Sequence, residues 1–179
     1  ANGNCAATTA DATFTVNANP GAAVNTTTTT AICESTTKTL VGSPAGGSWS
    51  IESGGGSISG TTYTPADVAS DTSVTIRYTI AANGNCAATT ADATFTVNAN
   101  PGAATNTTTT TAICESTTKT LVGSPAGGSW SIESGGGSIS GTTYTPADVA
   151  GDTSVTIRYT IAANGNCAAT TADATFTVN

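Results

Sequence analysis

The sequence predicts an all-β protein with one β-sandwich domain in each 81-residue unit, and three observations carry that prediction. Segments of strict apolar–polar alternation recur through the chain. Turn signals separate them at short intervals, and no stretch of ten residues has helical periodicity. The units themselves come from an internal repeat: Ala1–Val16 returns letter for letter at Ala82–Val97 and again at Ala163–Val178. Residues 18–98 and 99–179 differ only where Thr105 matches Val24 and Gly151 matches Ser70. The expected organisation is therefore 1–17, the closing strand of a preceding copy, then domains 18–98 and 99–179. A period this long exceeds a solenoid rung and suits a small domain.

The clearest strand is Val74–Ile80, with Val74, Ile76, Tyr78 and Ile80 on one face and Thr75, Arg77 and Thr79 on the other. Asn83-Gly84 follows, a strong hairpin signal. A second alternating strand places Ala93, Phe95 and Val97 inward and Asp92, Thr94 and Thr96 outward, closing an antiparallel hairpin. Upstream, Thr26–Ile32 reads as a Thr-rich strand leading to Cys33, and Thr37–Val41 as a short strand carrying Leu40. A Gly-Ser-Pro-Ala-Gly-Gly loop separates these from Ser48–Ile51, and Ser53–Ser57 is a glycine turn. Ile58 and Tyr63 lie on short strands. Thr64-Pro65-Ala66-Asp67 has the residues of one capped helical turn. The expected core is Leu40, Trp49, Ile51, Val74, Ile76, Tyr78, Phe95 and Val97, beside a disulfide.

Each unit carries two cysteines, Cys33 with Cys86 and Cys114 with Cys167; Cys5 is the copy of Cys86 in the leading segment. Without His or a CxxC spacing they read as a disulfide framework in an oxidising, extracellular setting, not as a metal site. Two pairings are open. Bridges within units, Cys33–Cys86 and Cys114–Cys167, would each close a 53-residue span, for about 4 kcal/mol of loop entropy. If each closing strand instead completed the following unit, Cys5 would pair with Cys33 and Cys86 with Cys114, for about 3.6 kcal/mol each. The first is preferred, because a small domain gains from its own staple.

Chemistry is scarce. Only 8% of residues are charged, the formal net charge is −7 and there is no His. That excludes the usual neutral-pH base and the clustered cations that nucleic acid or anionic membranes need. No catalytic residue, cofactor site or metal site is expected. Glu34, Glu52, Asp67, Asp71 and Asp92 read as solvated acids on loops and outward positions. Lys38 shares parity with Leu40 and points inward, as an edge lysine lying along apolar surface or as one half of an isopeptide crosslink. Asn25-Thr26-Thr27 matches an N-glycosylation acceptor.

Ile32-Cys33-Glu34, Leu40–Ser50, Tyr63-Thr64-Pro65, Val74–Thr79 and Cys86 together form a pattern covering the whole unit. It resembles the immunoglobulin-like tandem repeats of very large secreted or surface-anchored proteins of gliding and environmental bacteria. The resemblance implies immunoglobulin-like sandwiches, export to the surface, and a stalk, adhesin or fibre role. With no base for catalysis, the leading expectation is a non-enzymatic fibre or stalk whose partners are other copies of the repeat or chain. The runner-up is an adhesin whose repeats bind glycans or other surfaces.

Overall fold

The computed structural model describes Gly3 and residues 8–179; Cys5 lies outside the described residues. The chain is all-β, and no helix occurs among the described residues. In the first unit β1 (Val24–Asn25) pairs with β4 (Gly42–Ser43), and β3 (Lys38–Thr39), β7 (Thr62–Thr64) and β6 (Ser57–Ser59) form a second small sheet. The main sheet has the order β2 (Ile32–Cys33), β9 (Thr89–Asn98), β8 (Thr72–Ile80), β5 (Ser48–Ser53). The second unit repeats this with β10 (Thr105–Asn106), β11 (Lys119–Thr120), β12 (Gly123–Ser124), β13 (Ser129–Ser134), β14 (Ser138–Ser140), β15 (Thr143–Thr145), β16 (Thr153–Ile161) and β17 (Thr170–Val178). A single parallel bridge, Ile113 to Val178, stands in the place of β2.

The core lies between the main sheet and the β3–β7–β6 sheet, packed as in a β-sandwich. Val74 and Ile76 of β8 and Phe95 and Val97 of β9 meet Leu40 and Tyr63 from the other side, all buried. Trp49 and Ile51 pack on this cluster only half-buried. Tyr63, expected only on a short strand, is fully buried at the centre of the core, and its hydroxyl donates to the Gly55 carbonyl at 2.8 Å. The alternation in the sequence is thus realised, because a period of two puts every second residue on one face.

The closing hairpin is local. Nine residue pairs join β8 to β9, from Thr72 opposite Val97 to Ile80 opposite Thr89, and nine join β16 to β17. This corrects the alternative in which closing strands are donated to the following unit. At the tip, Asn83 and Cys86 exchange backbone hydrogen bonds of 3.1 and 3.0 Å across a tight turn. Residues 8–17 have the sequence of β9 but form no strand, and Phe14 and Val16 stay 85% and 80% exposed.

Two local expectations also change. Thr26–Ile32 is not one strand. The Asn25 side chain accepts from the Thr27 amide at 3.1 Å, and the buried Thr27 hydroxyl accepts from the Val41 amide at 3.0 Å. Side chains thus satisfy backbone groups that a ladder would otherwise use. Asn25 Nδ2 also donates to the Ile76 carbonyl at 2.9 Å, so the amide a glycan would need is committed to the fold. Nor does Thr64–Asp67 form a helical turn. The Val68 amide that would close such a turn onto the Thr64 carbonyl donates instead, at 2.6 Å, to the carboxylate of Glu34.

The Gly42–Gly47 loop is explained by one ring. Tyr78 lies against it, its hydroxyl donating to the Pro44 carbonyl at 2.6 Å and accepting from the Gly47 amide at 2.9 Å. A Cβ on Gly42 or Gly47 would fall 2.7 or 2.3 Å from that ring. Glycine is required there because the backbone passes within contact of an aromatic face.

Candidate functional site

Among the described residues, chemistry-bearing side chains converge at the joint between the two units. Cys33 is bonded to Cys167, with a Cα–Cα distance of 4.8 Å and a sequence separation of 134. Both are buried, at 3% and 1% exposure. Cys86 is a half-buried free thiol and Cys114 an exposed one. This corrects the Cys33–Cys86 and Cys114–Cys167 bridges expected within units, and Cys86–Cys114 as well.

The reason is distance along one strand. Cys33 lies opposite Asn98 at the last residue of β9, whereas Cys86 sits in the turn before β9 begins. A ten-residue strand spans roughly 33 Å, and bridged cysteines need Cα atoms within about 7 Å. The two cysteines of one unit therefore stand at opposite ends of it. Cys33 faces the next unit, and the nearest cysteine there is in that unit's closing turn. The bridge lies at the unit boundary and not, as expected, beside the core.

Polar contacts close the joint around the sulfurs. Asn164 Nδ2 donates to Asp71 Oδ1 at 2.7 Å and to the Ala99 carbonyl at 2.9 Å. Asp71 also accepts from Asn98 Nδ2 at 2.8 Å and from the Ala99 amide at 3.0 Å. The Asn166 amide donates to Asn98 Oδ1 at 3.2 Å, and its side chain donates to the Ala31 carbonyl. Gly165 (φ +52°) lies so close to Asn98 that a Cβ would sit 2.4 Å from Oδ1. Glu34 ties the linker down by accepting from the Asn100 amide at 3.1 Å.

These bonds set the charge states. The Ala99 amide, then the Asn164 and Asn98 side chains, hold the Asp71 carboxyl below its ordinary value despite some desolvation. The Val68 and Asn100 amides do the same for Glu34. Of the acids read as solvated, Glu34 and Asp71 thus serve the joint. Glu52 and Asp92 flank Arg77 at 3.0 and 2.8 Å. Such exposed pairs contribute little to stability.

Elsewhere the side chains are spent on packing. Lys38, 5% exposed, lies 4.5 Å above the Phe95 ring and donates to the Thr30 carbonyl at 2.7 Å. Desolvation lowers its pKa. Its ammonium is thus engaged by a carbonyl and a ring, and not by the Asn and acid that a crosslink needs. Among the described residues no group of three His, Cys, Asp or Glu is placed to hold a metal ion. An open groove of about 310 Å³ is lined by Val41, Trp49 and Tyr78, and its copy by Val122, Trp130 and Tyr159.

Residue type marks the cysteines, but nothing in the sequence groups Asp71, Asn98, Asn164, Gly165 and Asn166. The Asn-Gly pair was legible as a turn, and the turn doubles as the contact surface for the neighbouring unit. No family model matches the chain, and no curated protein is similar enough to it to show a relationship.

Proposed function

We propose that this chain is a load-bearing structural segment of an extracellular bacterial surface fibre or stalk, made of immunoglobulin-like units joined head to tail and locked by disulfides between neighbours. The observation that carries this reading is the Cys33–Cys167 bridge. Tension applied at the two ends of the chain would reach Cys33, cross the bridge and leave from Cys167. The intervening residues, which hold most of both units, would lie outside the path of force. A buried disulfide suits an oxidising exterior, and among the described residues no helix is long and apolar enough to cross a membrane. The pattern resembling bacterial surface repeats, the low charge and the near-identity of neighbouring units support the same reading.

Single-molecule pulling from the termini tests it. The oxidised chain should release only the residues preceding Cys33 and following Cys167. Adding a reductant should release the 134-residue span, an additional extension of roughly 450 Å. Full unfolding of both units in the oxidised chain would sink the load-bearing role.

The paired grooves favour a second reading, an adhesin that binds glycans through Trp49 and Trp130, since aromatic rings at a concave surface suit sugar faces. Glycan-array binding abolished by Trp49→Ala with Trp130→Ala would support it, and binding unchanged by that pair would remove it.

A further inference from the structure

The closed joint has two open counterparts in the same chain. Cys86 sits in a turn built like that of Cys167. Asn83 and Cys86 exchange backbone hydrogen bonds as Asn164 and Cys167 do. Asn83 Nδ2 donates to the Ala18 carbonyl at 2.9 Å, as Asn164 does to Ala99. Cys86 Sγ lies 3.5 Å from the Asn17 carbonyl, and Cys167 Sγ lies 3.2 Å from that of Asn98. The turn is docked and the sulfur is placed; what differs is the cysteine facing it.

Cys114 is the matching half. The Thr117 amide donates to the Cys114 carbonyl at 3.0 Å, and the Thr36 amide donates to that of Cys33 at 2.9 Å. The Glu115 amide reaches Asn179 as the Glu34 amide reaches Asn98, both at 3.0 Å. Glu115 accepts from the Val149 amide at 2.8 Å, repeating the Glu34–Val68 contact. The Cys33 end is therefore preformed at Cys114, which is exposed where Cys33 is buried.

We infer that Cys86 and Cys114 are covalent docking sites for further copies of the same 81-residue unit. Cys114 bonds a closing-turn cysteine of the type of Cys167, and Cys86 bonds an opening cysteine of the type of Cys33. The inference deepens the head-to-tail reading above and rests on it. Its rule is that each unit gives its opening cysteine to the unit after it and its closing-turn cysteine to the unit before it. Bond formation is a two-electron oxidation that a small disulfide such as oxidised glutathione supplies. The Cys114 thiolate attacks that disulfide and releases one thiol. The partner cysteine then attacks the Cys114 sulfur of the mixed disulfide and releases the second.

The test compares the 179-residue chain with the same chain extended by a third copy of residues 99–179, both refolded in a glutathione redox buffer. Cys114 should be alkylated in the shorter chain and protected in the longer one. Peptide mapping should join it to the closing-turn cysteine of the third copy, with Cys33–Cys167 retained. Replacing that third-copy cysteine by serine should return Cys114 to the alkylated pool and leave Cys33–Cys167 intact. Cys114 alkylated in the extended chain, or bonded to Cys86 or Cys167, overturns the inference. Small-angle scattering separates it from the stalk reading. A rod lengthened by one unit with Cys114 still free sinks the pairing rule alone. A collapsed chain with Cys114 bonded to the third copy supports the rule and counts against the stalk.

Discussion

Residues 8–17 and Thr89–Asn98 are the same ten residues in the same order, yet one forms no strand and the other is the longest strand of its unit. Phe14 is 85% exposed and Phe95 is 3% exposed; Val16 is 80% exposed and Val97 fully buried. The β-branched and aromatic composition is common to both. What Thr89–Asn98 has in addition is β8 along one edge and a sheet across its apolar face. Strand propensity is mostly a capacity to fit a pleated, half-buried surface. Without that surface, ten residues of favourable sequence stay unpaired.

The strongest way to break this comparison is to delete the same ring in both places. Phe95→Ala should lower the stability of the first unit by about 3–5 kcal/mol, whereas Phe14→Ala should change it by less than about 0.5 kcal/mol. Urea denaturation followed by Trp fluorescence measures both. Equal effects would mean that residues 8–17 are packed after all.

The cysteines give a comparison of the same kind, since chemically identical residues differ only in what faces them. Cys33→Ser or Cys167→Ser should cost about 2–4 kcal/mol, and Cys86→Ser or Cys114→Ser should leave the melting temperature of this chain nearly unchanged. Differential scanning calorimetry without reductant decides it. A loss from Cys86→Ser as large as from Cys33→Ser would contradict the pairing.

A smaller effect resolves the joint itself. Gly60 and Gly165 share a left-handed backbone, at φ +59° and +52°, but nothing lies within 4 Å of a Cβ at Gly60. Gly60→Ala should therefore cost only the backbone strain, about 1 kcal/mol. Gly165→Ala should cost more, because its new methyl must displace Asn98. Thermal melts of the two variants sharpen the comparison, and equal losses would show that the Asn98 contact is slack.

The smallest expected effect is the pH response of the joint. The Asp71 carboxyl titrates below its unfolded value, so its contribution is complete at neutral pH. That contribution fades as pH falls through the folded carboxyl, below the ordinary carboxylate range. The protection of the Ala99 amide, its exchange referred to the intrinsic rate at each pH, should fall there, and Asp71→Asn should flatten that response. Protection independent of pH across this window in the unaltered chain would mean the carboxylate does not hold the joint.

Much of the first-order fold was legible. Val74, Ile76 and Tyr78 announce an inward face, Phe95 and Val97 announce its partner, and Asn83-Gly84 announces the turn between them, since all three are local patterns. Tyr63 was harder to place, because its strand has three residues and too little alternation to assign a face. The acids of the joint were illegible for a different reason. Asp71 and Asn164 are 93 residues apart, and nothing near either one marks it as a contact.

The period, the all-β character, the closing hairpin and the commitment of cysteines to disulfide chemistry each follow from residue type and short spacing. Which cysteines meet depends on the folded geometry. Loop entropy changes slowly with length and cannot choose among spans of 28, 53 and 134 residues. The choice was made by a rigid ten-residue strand that holds the two cysteines of a unit at opposite ends. That separation turns a staple within a domain into a bond between domains.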